Sequence, residues 1–355
     1  MKRVLLATTA LGMGAGVAFA QDAMEMAPSI ALSGDAEMGV VGSKDESARF
    51  HTDINVKFSM SGMTDGGVEF GTAIELAESG DGSKAVDDND EHGGISIFMK
   101  GPFGNLEMGD TDGAFDWALA ETNGVGGGSI NDAEEHGAFS GNGGLDGIHD
   151  GQILRYDIAF SGFGFAASAE LDDDIKATKT KAAQLDDGDP VFGVGGKYSM
   201  GMADGITVGV GVGYQMGSTG AAHADHPNQD MTILGGSVDI GTSYGLKAIA
   251  NFSNESHEAS AANDSSESKI TRAGFGIGYA SGPMEIGVNV GSVETDSPGT
   301  TDDRDVTGVG LAASYSLGGG AAIKFGVGTS ETDNTDAGKA DTDTNRWSLG
   351  VAFKF

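Results

Sequence analysis

Along most of its length this chain places apolar side chains at every second position, in stretches of about ten residues separated by glycine-rich or acidic breaks. In one stretch Phe50, Thr52, Ile54, Val56, Phe58 and Met60 share one parity, while Arg49, His51, Asp53, Asn55, Lys57 and Ser59 share the other. A period of two is the signature of a strand with one apolar and one polar face. Here the polar face carries full charges, so it meets water and not a second sheet. Sixteen such segments can be read, from Ser29 to Val41 at one end to Asn345 to Phe355 at the other.

The breaks between segments alternate in length. Met63 to Gly66, Gly101-Pro102, Gly162, Gly201 to Asp204, Ser243-Tyr244, Ser281-Gly282 and Gly318 are short, and much longer, often acidic connections lie between them. Short turns on one side, long loops on the other and an even strand number describe an antiparallel transmembrane β-barrel of the outer-membrane type. Phe103, Phe163, Tyr198, Tyr244, Tyr279 and Tyr315 all sit beside short turns, where amphipathic rings favour a membrane interface.

Bulk properties fit that reading. Residues 1–20 place Lys2 and Arg3 before the apolar run Val4 to Phe19 and end in Ala18-Phe19-Ala20, the pattern of a secretory signal peptide, leaving 21–355 as a single barrel domain. Beyond it no apolar run approaches the ~18 residues of a membrane helix. Removing that leader, which holds two bases and no acid, takes the formal net charge from −33 to −35. Such a charge repels phosphate backbones and argues against nucleic acid as a partner. There are 61 glycines and no cysteine. An exported chain without disulfides needs another source of rigidity, which a closed sheet supplies.

One stretch breaks the alternation. From Asp110 to Asp150 there are nine acidic residues, no Lys or Arg, and no period of two. A structureless loop of that length inside a compact domain is unusual and is commonly functional. Within it, Ala114 to Ala120 has good helix formers, with Asp112 as a candidate N-cap. Gly124 and Gly126 to Gly128 would then let the chain turn.

The chain resembles the sixteen-stranded general porins of the alphaproteobacterial, Rhodobacter type. The resemblance is carried by the leader ending Ala18-Phe19-Ala20, the opening Ser29-Ile30-Ala31-Leu32-Ser33-Gly34, and Met108-Gly109-Asp110 leading into Ala114-Phe115-Asp116. The terminal Gly350-Val351-Ala352-Phe353-Lys354-Phe355 completes it. It implies a homotrimeric outer-membrane channel for small hydrophilic solutes and ions, surrounded by outer-membrane lipid. It also implies that the third external loop, residues 110–150, folds inward to constrict the pore. The C-terminal Phe355 resembles the signal read by the outer-membrane assembly machinery.

The polar strand face offers Arg49, Lys57, Lys100, Arg155, Lys197, Lys247, Arg272, Lys324, Arg346 and Lys354 to the lumen. An acidic loop lying against a cationic wall creates a transverse field where low-dielectric walls focus it. The expectation is that Asp110, Asp112, Asp116 and Glu121 face Arg49, Lys57, Arg155 and Lys100 across an eyelet. With acids in the majority, weak cation selectivity follows. Asp132, Glu134 and Glu135, or the run Asp87-Asp88-Asn89-Asp90-Glu91, supply oxygen ligands of the kind Ca2+ prefers, though neither follows an EF-hand pattern. His223, Asp225 and His226 form a weaker transition-metal candidate. No cofactor is otherwise implied, and no Walker sequence, nucleophile elbow or His-Glu-x-x-His suggests an enzyme. The alternative, an acidic calcium-binding β-roll or surface adhesin, needs a repeated glycine-rich nonapeptide, and only fragments near Gly143-Gly144 resemble one.

Overall fold

The computed structural model describes residues 28–44, 46–81, 92–123, 125–130, 138, 141–149, 151–171, 188–219, 229–259, 267–297, 303–334 and 340–355. The leader residues 1–20, the acids Asp132, Glu134 and Glu135, the run Asp87 to Glu91 and the His223–His226 pair lie outside them.

Sixteen antiparallel strands close into one barrel in which every strand pairs with its sequence neighbours. They are β1 (Ser29–Ser43), β2 (Arg49–Met63), β3 (Glu69–Asp81), β4 (His92–Gly101), β5 (Gly104–Gly109), β6 (Ile153–Phe160), β7 (Phe163–Glu170) and β8 (Val191–Gly201). Beyond these come β9 (Ile206–Ser218), β10 (Gln229–Thr242), β11 (Leu246–Ala259), β12 (Ser268–Ser281), β13 (Met284–Asp296), β14 (Arg304–Gly318), β15 (Ala321–Asn334) and β16 (Thr342–Lys354). The last strand returns to the first, from Asp35 against Lys354 to Ser43 against Arg346. Several strands run three to five residues further toward the long loops than their apolar alternation does. In β11 the polar run Glu255 to Ala259 continues pairing with β10. A ladder needs only backbone partners, so it outlasts the apolar band that lipid requires.

The burial pattern is inside out. Phe50 is 80% exposed and Ile54 49%, while His51 and Asn55 between them are buried. The apolar face is therefore the outer one, which lipid covers, and the polar face lines the lumen. The rings beside the short turns sit on this outer surface: Phe103, Phe163, Tyr244, Tyr279 and Tyr315 are exposed, and Phe163 packs against Tyr198 with centroids 4.2 Å apart. No described helix is long and apolar enough to cross a membrane; crossing falls to the strands.

A bore of sixteen strands is too wide for wall side chains to fill. The described residues nevertheless include a buried apolar cluster, Phe115, Ala118, Leu119, Leu145, Val191, Met231 and Ile233. Four of these seven belong to the stretch between β5 and β6, so that loop lies inside the barrel.

Candidate functional site

The loop departs from β5 at Gly109, whose φ of 130° is open to glycine and strained for any other residue. The Ile95 carbonyl also presses on the position where a Cβ would stand, so the turn inward is built on this residue. Asp110 then donates its N–H back to Ile95 at 2.9 Å. The first anchor is Arg155 on β6, which is 7% exposed. Its guanidinium donates to Thr111 Oγ1 at 3.0 Å and to the Asp112 carbonyl at 2.6 Å, and it ion-pairs with Glu107 at 3.0 Å and Asp157 at 3.2 Å.

A five-residue helix, α1 (Ala114–Ala118), follows and lies against the inner wall. Asp112 is not its N-cap. Gly113 holds that position, and the free helix donors find partners elsewhere: Gly113 N–H donates to Asp146 Oδ2 at 2.7 Å and Ala114 N–H to Ser168 Oγ of β7 at 2.9 Å. Acceptors fixed by the wall and the returning loop satisfy the helix start without a local side chain. The wall beneath the helix is made of glycine. A Cβ on Gly195 or Gly211 would collide with the carbonyls of Ala114 and Ala118, and one on Gly213 or Gly235 would stand 2.8 or 2.7 Å from the Phe115 ring. Inward glycines on β8, β9 and β10 thus form a seat into which Phe115 inserts, 1% exposed. Lys197 of β8 closes one flank, donating to the Trp117 carbonyl at 2.8 Å with its ammonium 3.5 Å from the centre of the indole.

From α1 the chain follows the wall. Ala120 N–H donates to Ser237 Oγ on β10 at 2.8 Å, the Thr122 carbonyl approaches Gly276 of β12, and Gly126 passes against Gly287 of β13. Ser129 and Ile130 reach β15, β16 and β1. The return limb, 141–149, is held by carboxylates and an amide. Glu121 Oε1 accepts from Asn142 N–H at 2.8 Å. Gln215, fully buried on β9, accepts from Leu145 N–H at 2.9 Å and donates to Asp146 Oδ1 at 2.5 Å. Glu170 at the end of β7 accepts three backbone N–H groups, from Gly147 at 2.9 Å, His149 at 3.0 Å and Gly151 at 2.7 Å.

Burial raises four of the loop acids, Asp112, Asp116, Glu121 and Asp146. Burial pushes Asp146 up to about 7, with Glu170 and Asp112 adding to the rise against the donors Gly113 and Gln215. Asp116, which keeps partial solvent contact but lies deep in the barrel, is raised well above its ordinary value by burial and by Asp112, Glu121 and Asp146. Burial also raises Asp112 despite Arg155, and Glu121 despite the Asn142 and Asn123 donors. A carboxyl with a higher pKa when docked than when free stabilises docking fully below its free value, near 3.8 for Asp146. That contribution is lost as pH rises through about 7. The loop is therefore expected to dock more tightly at pH 5 than at pH 8. Trp117 fluorescence, recorded with Trp347 replaced by Phe, should shift with a midpoint near 7, and Asp146→Asn should abolish that shift.

The sequence-predicted eyelet is only partly assembled. Asp112 meets Arg155 through its carbonyl, and the charge of Arg155 is taken up by Glu107 and Asp157. Asp110 lies near Glu75, which ion-pairs with Lys57 at 4.0 Å. Arg49 opens β2 at the long-loop rim and pairs with Glu46; eight residues of strand, roughly 26 Å, separate it from Lys57, so the two cannot share one constriction plane. Lys100 sits at the short-turn end of β4, paired with Glu69 at 3.0 Å and lying 5.3 Å over the Phe98 ring, away from the loop. Alternation fixed their face but not their height, and charged partners on the same rim hold both. The cation brought to α1 beside Arg155 is Lys197, counted among the wall bases but given no role by its spacing.

A Gram-negative porin family profile matches residues 7–335. The porin of Rhodobacter capsulatus is 28% identical over 341 residues, covering 92% of this chain and 100% of that protein. A porin structure refined at 1.8 Å superposes with a TM-score of 0.65 at 24% identity, over 92% of this chain and 100% of its own. OmpT of Vibrio cholerae, solved in a trimer form, gives 0.61 at 13% identity, over 93% and 100%.

Proposed function

Because the chain belongs to the Gram-negative porin family and forms an outer-membrane channel, we propose that its traffic is small hydrophilic solutes and ions, with a weak preference for cations. One observation carries this reading: the acidic loop runs along the inner wall from β5 to β1, so the lumen narrows against a surface rich in carboxylates. Asp110, Asp112, Asp116 and Glu121 form the acidic side of the constriction, and Lys57, Arg155 and Lys197 the nearest cationic wall. Arg49 and Lys100 act at the two mouths. Burial raises the pKa of Asp112, Asp116 and Glu121, which favours their neutral forms and works against a strong preference.

Reconstitution in planar bilayers under a KCl gradient tests it. Stable conductance steps with a reversal potential of cationic sign are expected. A unit charge about 10 Å from the ion path contributes about 0.4 kcal/mol at the dielectric of water, about twofold in ion preference. Replacing Asp112 by Asn and Glu121 by Gln together should therefore move the permeability ratio toward anions by at least that factor. Absence of conductance steps would remove the channel reading, and a strong anion preference would remove the selectivity alone.

Three further assignments belong to the same reading. Residues 1–20 act as an export leader, and residues 21–355 as one domain. The protein works as a homotrimer, as the trimer form of the V. cholerae relative suggests. The short strands β5, β6 and β7, of six, eight and eight residues, and the exposed Phe160, Phe163 and Phe165 beside them would gain cover from a neighbouring protomer. The exposed terminal ring of Phe355 serves assembly-machinery recognition, its backbone N–H bound to the Gly34 carbonyl at 2.8 Å. We assign the chain no catalytic role and no cofactor. Ca2+ binding by Asp132, Glu134 and Glu135 stays a proposal that calcium titration of the purified protein would test.

A further inference from the structure

Residues 129–130 of the constriction loop do something the pore does not require. They lie against β1 and β16, the one pair of strands joined across the two ends of the chain. This pair has nine residues in register, against thirteen between β1 and β2 and twelve between β15 and β16, so it has the shorter ladder on both counts. Its central partners are two glycines, Gly39 and Gly350. The Ile130 side chain enters between them: its Cδ1 occupies the space a Cβ on Gly39 would need, and lies 2.7 Å from the position of one on Gly350. Ile130 is 1% exposed and Ser129 beside it fully buried.

A polar clamp flanks this plug. Lys324 of β15 donates to the Ser129 carbonyl at 3.2 Å and ion-pairs at 2.9 Å with Glu37 of β1, two residues from Gly39 on the same inward face. One ammonium thus joins the loop and β1 from the β15 side of the seam. Inward residues of both seam strands are also buried, Val41 at 2% and Ser348 at 0%. At the long-loop end Lys44 pairs with Asp343, and at the other end Phe355 bonds Gly34, so Ile130 supplies the middle of three closures.

We propose that Ser129-Ile130 is a seam lock: this segment of the constriction loop fastens the first strand to the last, and Ile130 and Lys324 are positioning residues that couple pore narrowing to barrel closure. An apolar side chain in a two-glycine slot has no such partner surface until β1 and β16 have paired. The segment therefore docks only on a closed barrel and in turn opposes its opening. Both functions then depend on one side chain.

Hydrogen exchange of the full-length protein in detergent micelles tests this without any need for channel activity. In Ile130→Ala the amides of 35–43 and 346–354 should exchange at least about tenfold faster than in the parent, while those of 206–218 keep their rate. Ile130→Val should show the same pattern to a smaller degree, and it serves as the readout if the alanine variant does not fold. Lys324→Met should accelerate the same two segments. A second readout separates positioning from general weakening: single-channel records of Ile130→Ala should gain open-level noise that Ile130→Leu does not. Faster exchange confined to loop residues, with both seam strands unchanged, would overturn the coupling, as would uniform acceleration of all sixteen strands. Either result would leave the channel and its selectivity standing.

Discussion

Replacing Phe115 by alanine is expected to enlarge the channel. Among the described residues the ring is the largest fully buried side chain, and it fills a hollow bounded by Gly213, Gly235 and Gly144, with Leu119 beside it. Phe-to-Ala changes at buried sites cost about 3–5 kcal/mol, because transfer energy is lost and a cavity remains. Here the cost falls on docking of the loop, since the barrel ladders do not involve this side chain. Without the ring, α1 and Ala120 after it keep the neutral Ser168 and Ser237 bonds, each worth about 1 kcal/mol net, and the charged Lys197 bond, worth about 1.5–3 kcal/mol. These do not replace what is removed, so undocked loop conformations become populated. Single-channel conductance should rise and its open level become noisier, and exchange of the amides 114–118 should accelerate while strand amides hold. Phe115→Leu, which keeps most of the volume, should show a small change. Unaltered conductance with unaltered exchange would mean that the ring does not hold the helix.

Why the barrel was legible in the sequence and the seat of its loop was not follows from what each depends on. Lipid outside and water inside impose a period of two over every crossing strand, so Phe50, Ile54 and their neighbours fix strand and face together. The glycines are a different case. Sixty-one of them are conspicuous in the composition, yet nothing in a single strand says that Gly195, Gly211, Gly213 and Gly235 share one patch of wall. That patch arises only once β8, β9 and β10 are set in register. A signal for the buried cluster was present. In Val191-Phe192 and Met231-Thr232-Ile233-Leu234 apolar residues occupy both parities, which a wall facing only water on its inner side would not tolerate. Those inward Val, Met and Ile residues mark where the loop lies.

Electrostatic pairing was the least legible part. Alternation places Arg49, Lys57, Lys100 and Arg155 on one face, but the height of a side chain along the barrel axis depends on strand tilt and on local partners. Glu46, Glu69, Glu107 and Asp157 decide where those charges are spent. The proposed selectivity is accordingly carried by the loop carboxylates that remain without a basic partner of their own, and less by a transverse field between two opposed rows.

Of the groups that hold the return limb of the loop, Glu170 takes the most backbone donors, and an isosteric change there should loosen the limb. Glu170 is 2% exposed, and its two oxygens accept from Gly147, His149 and Gly151, three successive odd positions of the chain. A carboxylate can do this because both oxygens are acceptors only. In Glu170→Gln one oxygen becomes an NH2 group facing a backbone N–H, so at least one buried donor loses its partner and two donors oppose each other. An unsatisfied buried donor costs about 1–3 kcal/mol, and hydrogen bonds to a charged acceptor are worth about 1.5–3 kcal/mol each. The variant should therefore weaken docking of 141–149 by several kcal/mol while changing no volume. Exchange at Gly147, His149 and Gly151 should rise by at least about a hundredfold, and the Gln215–Asp146 contact, which shares the limb, should loosen with it. Glu170→Asp keeps the charge but shortens the reach, and should recover part of the protection. Equal exchange in the parent and in Glu170→Gln would show that Gln215 and Glu121 hold the limb without it, and the carboxylate would then be a feature of the wall and not of the constriction.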